Sequence, residues 1–382
     1  MKQIYLDNGA TSFPKAPGVG QAMKDYIEKV GVNVNRSSYR ATAEAALSTL
    51  NVREDLCTLF GGGSDPSYAI FTSGVTMSLN MIMKGVLRTG DHLIISGMEH
   101  NAVARPAMQL EAAGVSVSIA PCDETGVLRL TEFEKLFTPQ TRLVVIQYAS
   151  NVSGTIQPIA EIGAICRRHG ALFAVDSAQA AGHFLFNMQA LQVDAICFTG
   201  HKGLLGPSGI GGFVMNEAMN KALTPLIAGG TGSMSASLEM PPTLPDRYEA
   251  GTPNLPGIMG LGVALRYLME VGPDALHKRE MALTNRFLDG LHGNSHIRVP
   301  GPVDAKGRVG VISVDFLRQD NAEVAFQLEE QYGILTRCGL HCAPLAHKTL
   351  GTYPEGTVRF SVGYTTTEDE VDTAIQAIHS LS

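Results

Sequence analysis

The chain has 382 residues, of which 45% are hydrophobic and 17% charged, as is typical of a globular protein large enough for two domains. Its formal net charge of −7 argues against nucleic acid or an anionic membrane as the main partner, because both require a concentrated basic surface. No signal peptide is evident, and no apolar run reaches the roughly 18 residues of a membrane span. The 6 cysteines are scattered, which predicts reduced thiols and a cytoplasmic protein.

Short apolar runs alternate with helix-like segments over much of the chain. The runs, which predict strands, are 68–71, 92–96, 115–120, 142–148, 171–176 and 194–198. Segments with apolar residues three and four apart predict helices at 76–87, 104–114 and 159–170, and several of these end in glycine. This alternation predicts an α/β fold with a mainly parallel sheet covered on both faces.

The composition changes after this region. Residues 216–258 are rich in Gly, Pro, Ser and Met and are predicted to form a long excursion rather than a linker. Helices at 258–272 and 277–293 and strands at 310–316 and 357–363 follow. We therefore predict a large domain at 16–258 and a smaller α+β domain at 259–382, which the N-terminal segment 1–15 joins.

Polar residues follow four of the predicted strands, at the sheet edge where ligands bind in such folds. Asp176 and Lys202 fit pyridoxal phosphate (PLP), because a lysine forms the Schiff base and a buried carboxylate keeps the pyridine nitrogen protonated. His100 could stack on the ring and move protons, and the amide of Asn151 or Gln179 could bind the phenolic oxygen. Taken singly, Asp176 could cap a helix and Lys202 could be a solvated surface charge.

A phosphate site is predicted at the turn after the first strand of the sheet. This turn is Thr72, Ser73, Gly74, Val75 and Thr76. Free amides at the start of the next helix and the Thr76 hydroxyl suit a phosphate, with Thr199 and His201 nearby. The alternative is an ordinary helix cap.

The C-terminal region carries a candidate nucleophile. Cys342 stands beside His341 and close to Arg337, which predicts a thiol with a lowered pKa. Burial as a small apolar residue is one alternative. A metal site is another, but the spacing is not familiar for zinc; its ligands would be Cys338, His341, Cys342 and His347.

Arg359 lies between apolar neighbours in the last predicted strand. Burying an unpaired guanidinium is costly, so we expect it to have an anionic partner. An amino-acid carboxylate matches its geometry, and a structural salt bridge is the alternative.

Nine motifs together resemble the cysteine desulfurases and selenocysteine lyases of the class V aminotransferase group. They are YLDNGATSFPK, TSGVTMSLN, MEHNA, NVSGTIQPI, AVDSAQAAGH, FTGHKGLLGPSGIGG, AGTPNLPG, RCGLHCAP and TVRFSVGYTTTEDEVD. The resemblance runs along almost the whole chain. It implies the fold of the fold-type I PLP-dependent transferases, conversion of L-cysteine or L-selenocysteine to L-alanine, and a role in sulfur metabolism and iron–sulfur cluster biogenesis. A protein or thiol would accept the sulfur.

The resemblance also implies a role for each site residue. Lys202 would hold the cofactor and Cys342 would take the sulfur as a persulfide, with His100 over the ring. The cofactor would be bound by Ser73, Gly74, Val75, Thr76, His100, Asn151, Asp176, Gln179, Thr199, His201 and Lys202. The protein would be a homodimer, and Thr252 of each subunit would complete the phosphate site of the other. The substrate would be bound by Arg359, Arg337 and Asn151.

The sequence departs from the family pattern at three places. Val75 replaces the usual alanine of S-G-A-T, Leu340 replaces the first histidine of HHC, and the segment 35–40 replaces a motif that often contains a histidine near the substrate. Two other hypotheses therefore stay open. One is a different PLP reaction of the group, such as transamination, epimerisation or elimination; the other is a non-catalytic sulfur- or metal-binding scaffold.

Overall fold

The computed structural model describes residues 3–34 and 39–382. Its α-helices are α1 Val19–Asp25, α2 Arg40–Phe60, α3 Val75–Val86, α4 Asn101–Ala112, α5 Leu130–Glu134, α6 Ile159–His169, α7 Glu217–Ala222, α8 Leu255–Val271, α9 Pro273–Leu291, α10 Asn321–Tyr332, α11 Pro344–Thr349 and α12 Glu368–Leu381. Its strands are β1 Ile4–Tyr5, β2 Ala69–Thr72, β3 His92–Ser96, β4 Ser116–Ala120, β5 Thr141–Gln147, β6 Leu172–Asp176, β7 Ala195–Thr199, β8 Gly211–Met215, β9 Ile297–Arg298, β10 Val311–Phe316, β11 Ile334–Leu335, β12 Arg337–Gly339 and β13 Thr357–Ser361.

Local signals fix where several helices begin and end. Helix α12 begins at a capping box, in which the Thr367 hydroxyl accepts the Glu370 N–H and the Glu370 carboxylate accepts the Thr367 N–H. Helices α2, α6 and α10 end at Gly61, Gly170 and Gly333, each in the left-handed conformation that glycine adopts without strain. These endings match the glycine signals in the sequence.

The large sheet has the strand order β2-β8-β7-β6-β5-β3-β4. The neighbouring strands from β7 to β4 are parallel, whereas β8 is antiparallel to both β2 and β7. The six predicted strands of this region are confirmed to within about two residues. Strand β8 was not predicted, because Gly211 and Gly212 weaken its apolar pattern.

Apolar side chains cover both faces of the large sheet, as predicted. One core cluster joins the sheet to α2, α6 and α8, and the other joins it to α3 and α4. The strands from β2 to β3 in this order are buried on both sides because each contributes side chains to both clusters, whereas the edge strand β4 is partly exposed. The polar residues that the chain needs for chemistry are consequently confined to the strand ends.

A second, four-stranded antiparallel sheet has the order β12-β13-β10-β9 and packs against α9, α10 and α12. Strand β1 pairs with β11, so the N-terminal segment lies beside this sheet. The predicted domain boundary at residue 258 falls within α8, which packs against α1 and α2 of the predicted large domain. The boundary stays a prediction.

The predicted excursion packs against the large sheet. After α7 it has neither helix nor strand until α8. The carboxylate of Glu249 binds both terminal nitrogens of Arg53 at 2.8 and 2.7 Å and accepts the N–H of Phe71 at 2.6 Å. These contacts fix the segment as a packed excursion rather than a linker. Across the described ranges, no helix is both long and apolar enough to cross a membrane.

Candidate active site

The carboxyl ends of four neighbouring strands carry the predicted cofactor residues. Strands β3, β5, β6 and β7 lie side by side and parallel. His100, Asn151, Asp176 and Lys202 stand at or just after their ends, so the sheet brings them to one edge. Their charges also interact: Asp176 and Lys202 shift each other's pKa, and Lys202 lowers the pKa of His100. His100, Asp176 and Lys202 therefore form one cluster, and Asn151 lies at the same edge of the sheet.

The amine of Lys202 loses its proton at a lower pH than an ordinary lysine does. Burial lowers its pKa to about 8; Asp176 opposes this shift, and the cations of Arg359 and Arg337 add to it. The neutral amine is the form that attacks a carbonyl carbon. A solvated surface lysine would not have these properties.

Asp176 is a buried carboxylate beside this amine. Its Oδ1 atom accepts the N–H of Ala178 at 2.9 Å, so it caps the following turn as well. Burial raises its pKa, while the Ala178 N–H and the charge of Lys202 oppose the shift. A protonated pyridine nitrogen would stabilise the charged carboxylate, which is the role that PLP chemistry requires.

The ring of His100 caps helix α4. Its Nδ1 atom accepts the N–H of Ala102 at 3.0 Å, and burial, followed by the charge of Lys202, lowers its pKa to about 4. The ring is therefore neutral, with its proton on Nε2. This state suits stacking on a cofactor ring. Proton shuttling through Nδ1 would require the capping bond to break.

Two side-chain amides lie at the same edge of the sheet. Nδ2 of Asn151 donates to the carbonyl of His341 at 2.7 Å, and Nε2 of Gln179 donates to the carbonyl of Gly9 at 2.9 Å. Each nitrogen carries a second N–H that a phenolic oxygen could accept. Oδ1 of Asn151 is buried without a partner among the described residues, so the site has room for one more donor.

The predicted phosphate turn begins helix α3. Gly74 is its N-cap, and no side chain caps the helix, which leaves the amides of Val75 and Thr76 free for a ligand. A Cβ atom at Gly211 would lie 2.6 Å from Cα of Gly74, so glycine is required for β8 to approach this turn. Ser73 is exposed beside it.

The remaining predicted phosphate residues surround this turn. Thr199 is buried at the end of β7, and its Oγ1 atom lies 3.6 Å from a Cβ placed on Gly74. Nδ1 of His201 lies 3.1 Å from Oγ1 of Thr11, and burial lowers the pKa of this ring to about 4. Thr252 is exposed and lines an open cavity together with Ser73. In the tautomer whose Nδ1 accepts from the Thr11 hydroxyl, the neutral His201 ring would donate a hydrogen bond to a phosphate oxygen through Nε2.

Arg359 is buried on β13 and has two partners. Its Nη2 atom donates to Oδ1 of Asp7 at 2.9 Å, and its Nη1 atom donates to the carbonyl of Asn151 at 3.0 Å. The structural ion pair is therefore present. The Nε atom of Arg359 is buried with no acceptor in the described part of the chain, so it is free to donate to a ligand oxygen. Arg337 lies opposite Arg359 on β12 and is exposed.

Cys342 lies on a short loop between β12 and α11. Its thiol is free and its side chain is exposed. His341 and Cys342 both have left-handed backbone angles, with φ of 47° and 57°, which are uncommon for residues other than glycine. The carbonyl of His341 accepts from Asn151, and that of Cys342 accepts the Asn101 N–H at 2.7 Å. Both sides of the thiol are therefore tied to the cofactor edge of the sheet.

His341 does not place a positive charge beside this thiol. The His341 ring is buried, and its Nε2 atom lies 3.1 Å from Oγ1 of Thr357 in the neighbouring strand. Burial, with the nearby charge of Arg359, lowers its pKa to about 2, so it is neutral. The ring fixes the loop from inside the protein instead.

Cys338 faces a different environment from Cys342. Burial raises the pKa of its thiol, and the next contribution comes from Asp320 at the start of α10. Adjacent residues of a strand point to opposite faces, so Cys338 lies on the other side of β12 from Arg337. Among residues 3–34 and 39–382, no group of three or more His, Cys, Asp or Glu side chains could hold a metal ion. The alternative metal site is therefore not assembled.

The N-terminal segment is part of the site, although no residue of it was predicted to be. Asp7 binds Arg359, Gly9 binds Gln179, and Thr11 binds His201. Nζ of Lys15 donates to the carbonyl of His201 at 2.8 Å. The motif YLDNGATSFPK could have indicated this role, because its polar residues directly follow a short apolar run. Of the segment 35–40, residues 35–38 lie outside the described residues.

These residues fit PLP on observations of the chain itself. The cluster offers a lysine amine near neutrality, a buried carboxylate, an uncapped helix start beside required glycines, and a buried amide oxygen without a partner. Each feature corresponds to one part of the cofactor: aldehyde carbon, pyridine nitrogen, phosphate and ring substituents.

Comparison with known proteins agrees with this geometry. The family model "Aminotransferase class-V" matches residues 4–373. A cysteine desulfurase of Escherichia coli is 35% identical and aligns over 99% of this chain and 93% of its own. A probable cysteine desulfurase of Methanothermobacter thermautotrophicus is 32% identical, over 96% and 92% respectively. The apo structure of a cysteine desulfurase from Thermococcus onnurineus has a TM-score of 0.92 at 31% identity and covers 99% of this chain and 94% of its own.

The family model covers nearly the whole chain, and both relatives are more than 30% identical to it. This chain belongs to the class V aminotransferase family, whose members are PLP-dependent enzymes.

Proposed function

We propose that this protein is a PLP-dependent cysteine desulfurase, which converts L-cysteine to L-alanine and transfers the sulfur to Cys342 as a persulfide. The observation that carries the proposal is the anchoring of Cys342. The thiol is exposed at the edge that holds Lys202 and Asp176. The carbonyl of His341 accepts from the Asn151 side chain, and that of Cys342 accepts from the Asn101 N–H. The names of the relatives point to the same reaction.

Bound PLP would supply an electron sink that acidifies the Cα proton of the substrate and weakens its Cβ–S bond. Arg359 would bind the substrate carboxylate through its free Nε, while Arg337 adds positive charge nearby. Lys202, the pKa of whose amine burial lowers to about 8, would take the Cα proton. Asp176 would hold the pyridine nitrogen in its charged form, and the neutral His100 ring would stack above it.

The thiolate of Cys342 would then attack the sulfur of the substrate. A bond forms between Sγ and this sulfur while the Cβ–S bond breaks, and its electron pair passes to Cβ. Cβ takes a proton and becomes the methyl group of alanine. Sulfur leaves the enzyme when an acceptor protein or thiol attacks the persulfide. L-Selenocysteine fits the same steps.

The active unit would be a homodimer in the cytoplasm. Thr252 is exposed beside Ser73, where a partner subunit could use it to complete a phosphate site. The same excursion leaves Leu238 and Met234 exposed, and apolar side chains of this kind are common at subunit interfaces. All 6 cysteines are free thiols, as is usual in a reducing compartment.

The test is a joint assay of alanine and sulfide from L-cysteine, with a reductant as sulfur acceptor. The wild-type protein is expected to yield both in equal amounts. Cys342→Ser should bind the cofactor but lose sulfide release. Cys338→Ser is the matched control that keeps it, because Cys338 lies four residues earlier, in β12, and near Asp320. A protein that binds PLP and yields neither product would carry out another reaction of the family. A protein without PLP would refute the proposal.

A further inference from the structure

A groove leads from solvent to Cys342 between helices α3 and α4. One wall carries Asn101, Arg105 and Gln109 of α4, and the other carries Thr76 and Asn80 of α3. Residues four apart lie on one face of a helix, so each wall is a stripe of polar side chains. Cys342 lies at the inner end of this groove, because its carbonyl accepts the N–H of Asn101.

The charge around this groove is positive. Arg105 is exposed one helical turn beyond Asn101, and Arg337 is exposed on β12. Among the described residues, neither guanidinium has a carboxylate partner, and no Asp or Glu lines the groove. Both cations lower the pKa of His100, which stands at the inner end of the groove with Cys342. A persulfide on Cys342 would therefore lie in a positive field that attracts anions.

We infer that this groove binds the sulfur acceptor as a small anionic thiol, which enters past Arg105. The inference rests on the proposed function. Hydrogen bonds from Asn151 and Asn101 hold the main chain of His341 and Cys342, and Cys342 lines the groove, so an acceptor bound there lies beside the persulfide. Arg105 is the side chain that an entering anion meets.

The transfer is balanced without a further oxidant or reductant. The thiolate of the acceptor attacks the terminal sulfur of the Cys342 persulfide and forms a new S–S bond. The bond between that sulfur and Sγ breaks, and its electron pair returns to Sγ as the thiolate. The acceptor leaves as a persulfide, and Cys342 is ready for the next substrate.

The experiment loads Cys342 with sulfur from L-cysteine, removes the excess, and measures the rate at which three thiols of equal length discharge the persulfide. They are 2-mercaptoethanesulfonate, 2-mercaptoethanol and cysteamine, with rates corrected for the thiolate fraction. The sulfonate is expected to react fastest. Arg105→Gln should slow the sulfonate about three- to tenfold and leave 2-mercaptoethanol unchanged. The preference should also weaken as ionic strength rises.

Arg142→Gln is the matched control, because Arg142 is an exposed arginine near the start of β5, at the opposite edge of the sheet. Its discharge rates should equal those of the wild type. Equal rates for the three thiols, or an equal loss for all three in Arg105→Gln, would overturn the inference while leaving the proposed function intact. Absence of any persulfide on Cys342 would overturn both.

Discussion

Asp7 and Arg359, separated by 352 residues in sequence, form an ion pair of 2.9 Å at the edge of the active site. The pair joins the N-terminal segment to the last strand of the small sheet. Because Nη1 also donates to the carbonyl of Asn151, the guanidinium is held on two sides and has one rotational orientation. Asp7 is therefore a positioning residue for the arginine that would bind the substrate carboxylate.

Replacing Asp7 should affect substrate binding more than turnover. Asp7→Ala removes one of the two partners of Arg359, so KM for L-cysteine should rise about tenfold, whereas kcat should change little because Asp7 does not reach the reacting atoms. Asp7→Asn is the control, since its amide oxygen can still accept from Nη2, and its KM should rise less. Steady-state alanine formation measures both constants. An unchanged KM in Asp7→Ala would contradict the positioning role.

The sequence predicted the sheet well because its strands are buried on both faces and therefore read as continuous apolar runs. Strand β3 matches its predicted range of 92–96. Strand β8 was not predicted. Its close approach to Gly74 requires glycine at position 211, and glycine does not contribute to an apolar pattern. Polar residues at the strand ends were predictable for the same reason that β3 was, since the end of an apolar run fixes their position.

Contacts that depend on tertiary packing were not predictable in this way. The spacing of His341 and Cys342 suggested that the imidazole acts on the thiol, but the left-handed turn points the ring towards Thr357. The N-terminal segment was predicted to join the small domain, but no local pattern indicates that Asp7 pairs with Arg359 there. Sequence thus located the chemical groups, and packing determined which of them touch.

The rate at which PLP attaches to the apo-protein should depend on pH through Lys202. Attachment requires the neutral amine, whose pKa burial lowers to about 8, so the rate should rise about tenfold per pH unit below pH 8 and level off above it. Visible absorbance after mixing at pH 6 to 10 measures the rate. Free Nα-acetyl-lysine is the control, and its rate should still be rising at pH 10.

A variant of Arg337 tests the cause of this shift. Arg337 is one of the two cations that lower the pKa of Lys202, so Arg337→Gln should move the profile to higher pH. Arg318→Gln, an exposed arginine after β10, should leave the profile in place. A wild-type rate that keeps rising through pH 10 would mean that the amine is solvated.

Glu99 should make the protein less stable as pH rises. It is fully buried, and burial raises its pKa to about 8, although hydrogen bonds from Ser96 and Gln147 oppose the shift. Between the ordinary carboxyl pKa and 8, the folded state binds a proton that the unfolded state has lost. The free energy of unfolding should therefore fall by about 1.4 kcal/mol per pH unit over this range.

Glu99→Gln keeps the shape of the side chain and removes this titration. Urea unfolding at pH 5, 6.5 and 8 should show that the variant gains stability relative to the wild type at each step. Glu161→Gln, which changes an exposed carboxylate on α6, is the control and should leave the slope unchanged. Parallel curves for the wild type and Glu99→Gln would show that Glu99 is ionised in the folded protein.

Gly211→Ala should weaken PLP binding although Gly211 has no side chain with which to contact the cofactor. The added Cβ would lie 2.6 Å from Cα of Gly74 and 2.6 Å from the carbonyl oxygen of Phe198, and both are main-chain atoms that cannot rotate away. Strand β8 and the start of α3 must therefore separate, which displaces the amides of Val75 and Thr76. We expect the dissociation constant for PLP to rise at least about tenfold, because phosphate binding depends on the positions of these amides.

Gly20→Ala is the matched control. It lies in α1, a Cβ there meets nothing within 4 Å, and alanine in a helix should raise the free energy of unfolding by about 0.5–1 kcal/mol. Its affinity for PLP should equal that of the wild type. Titration of each apo-protein with PLP, with far-ultraviolet circular dichroism to verify folding, separates the two effects. A folded Gly211→Ala protein with unchanged PLP affinity would mean that the start of α3 does not bind the phosphate.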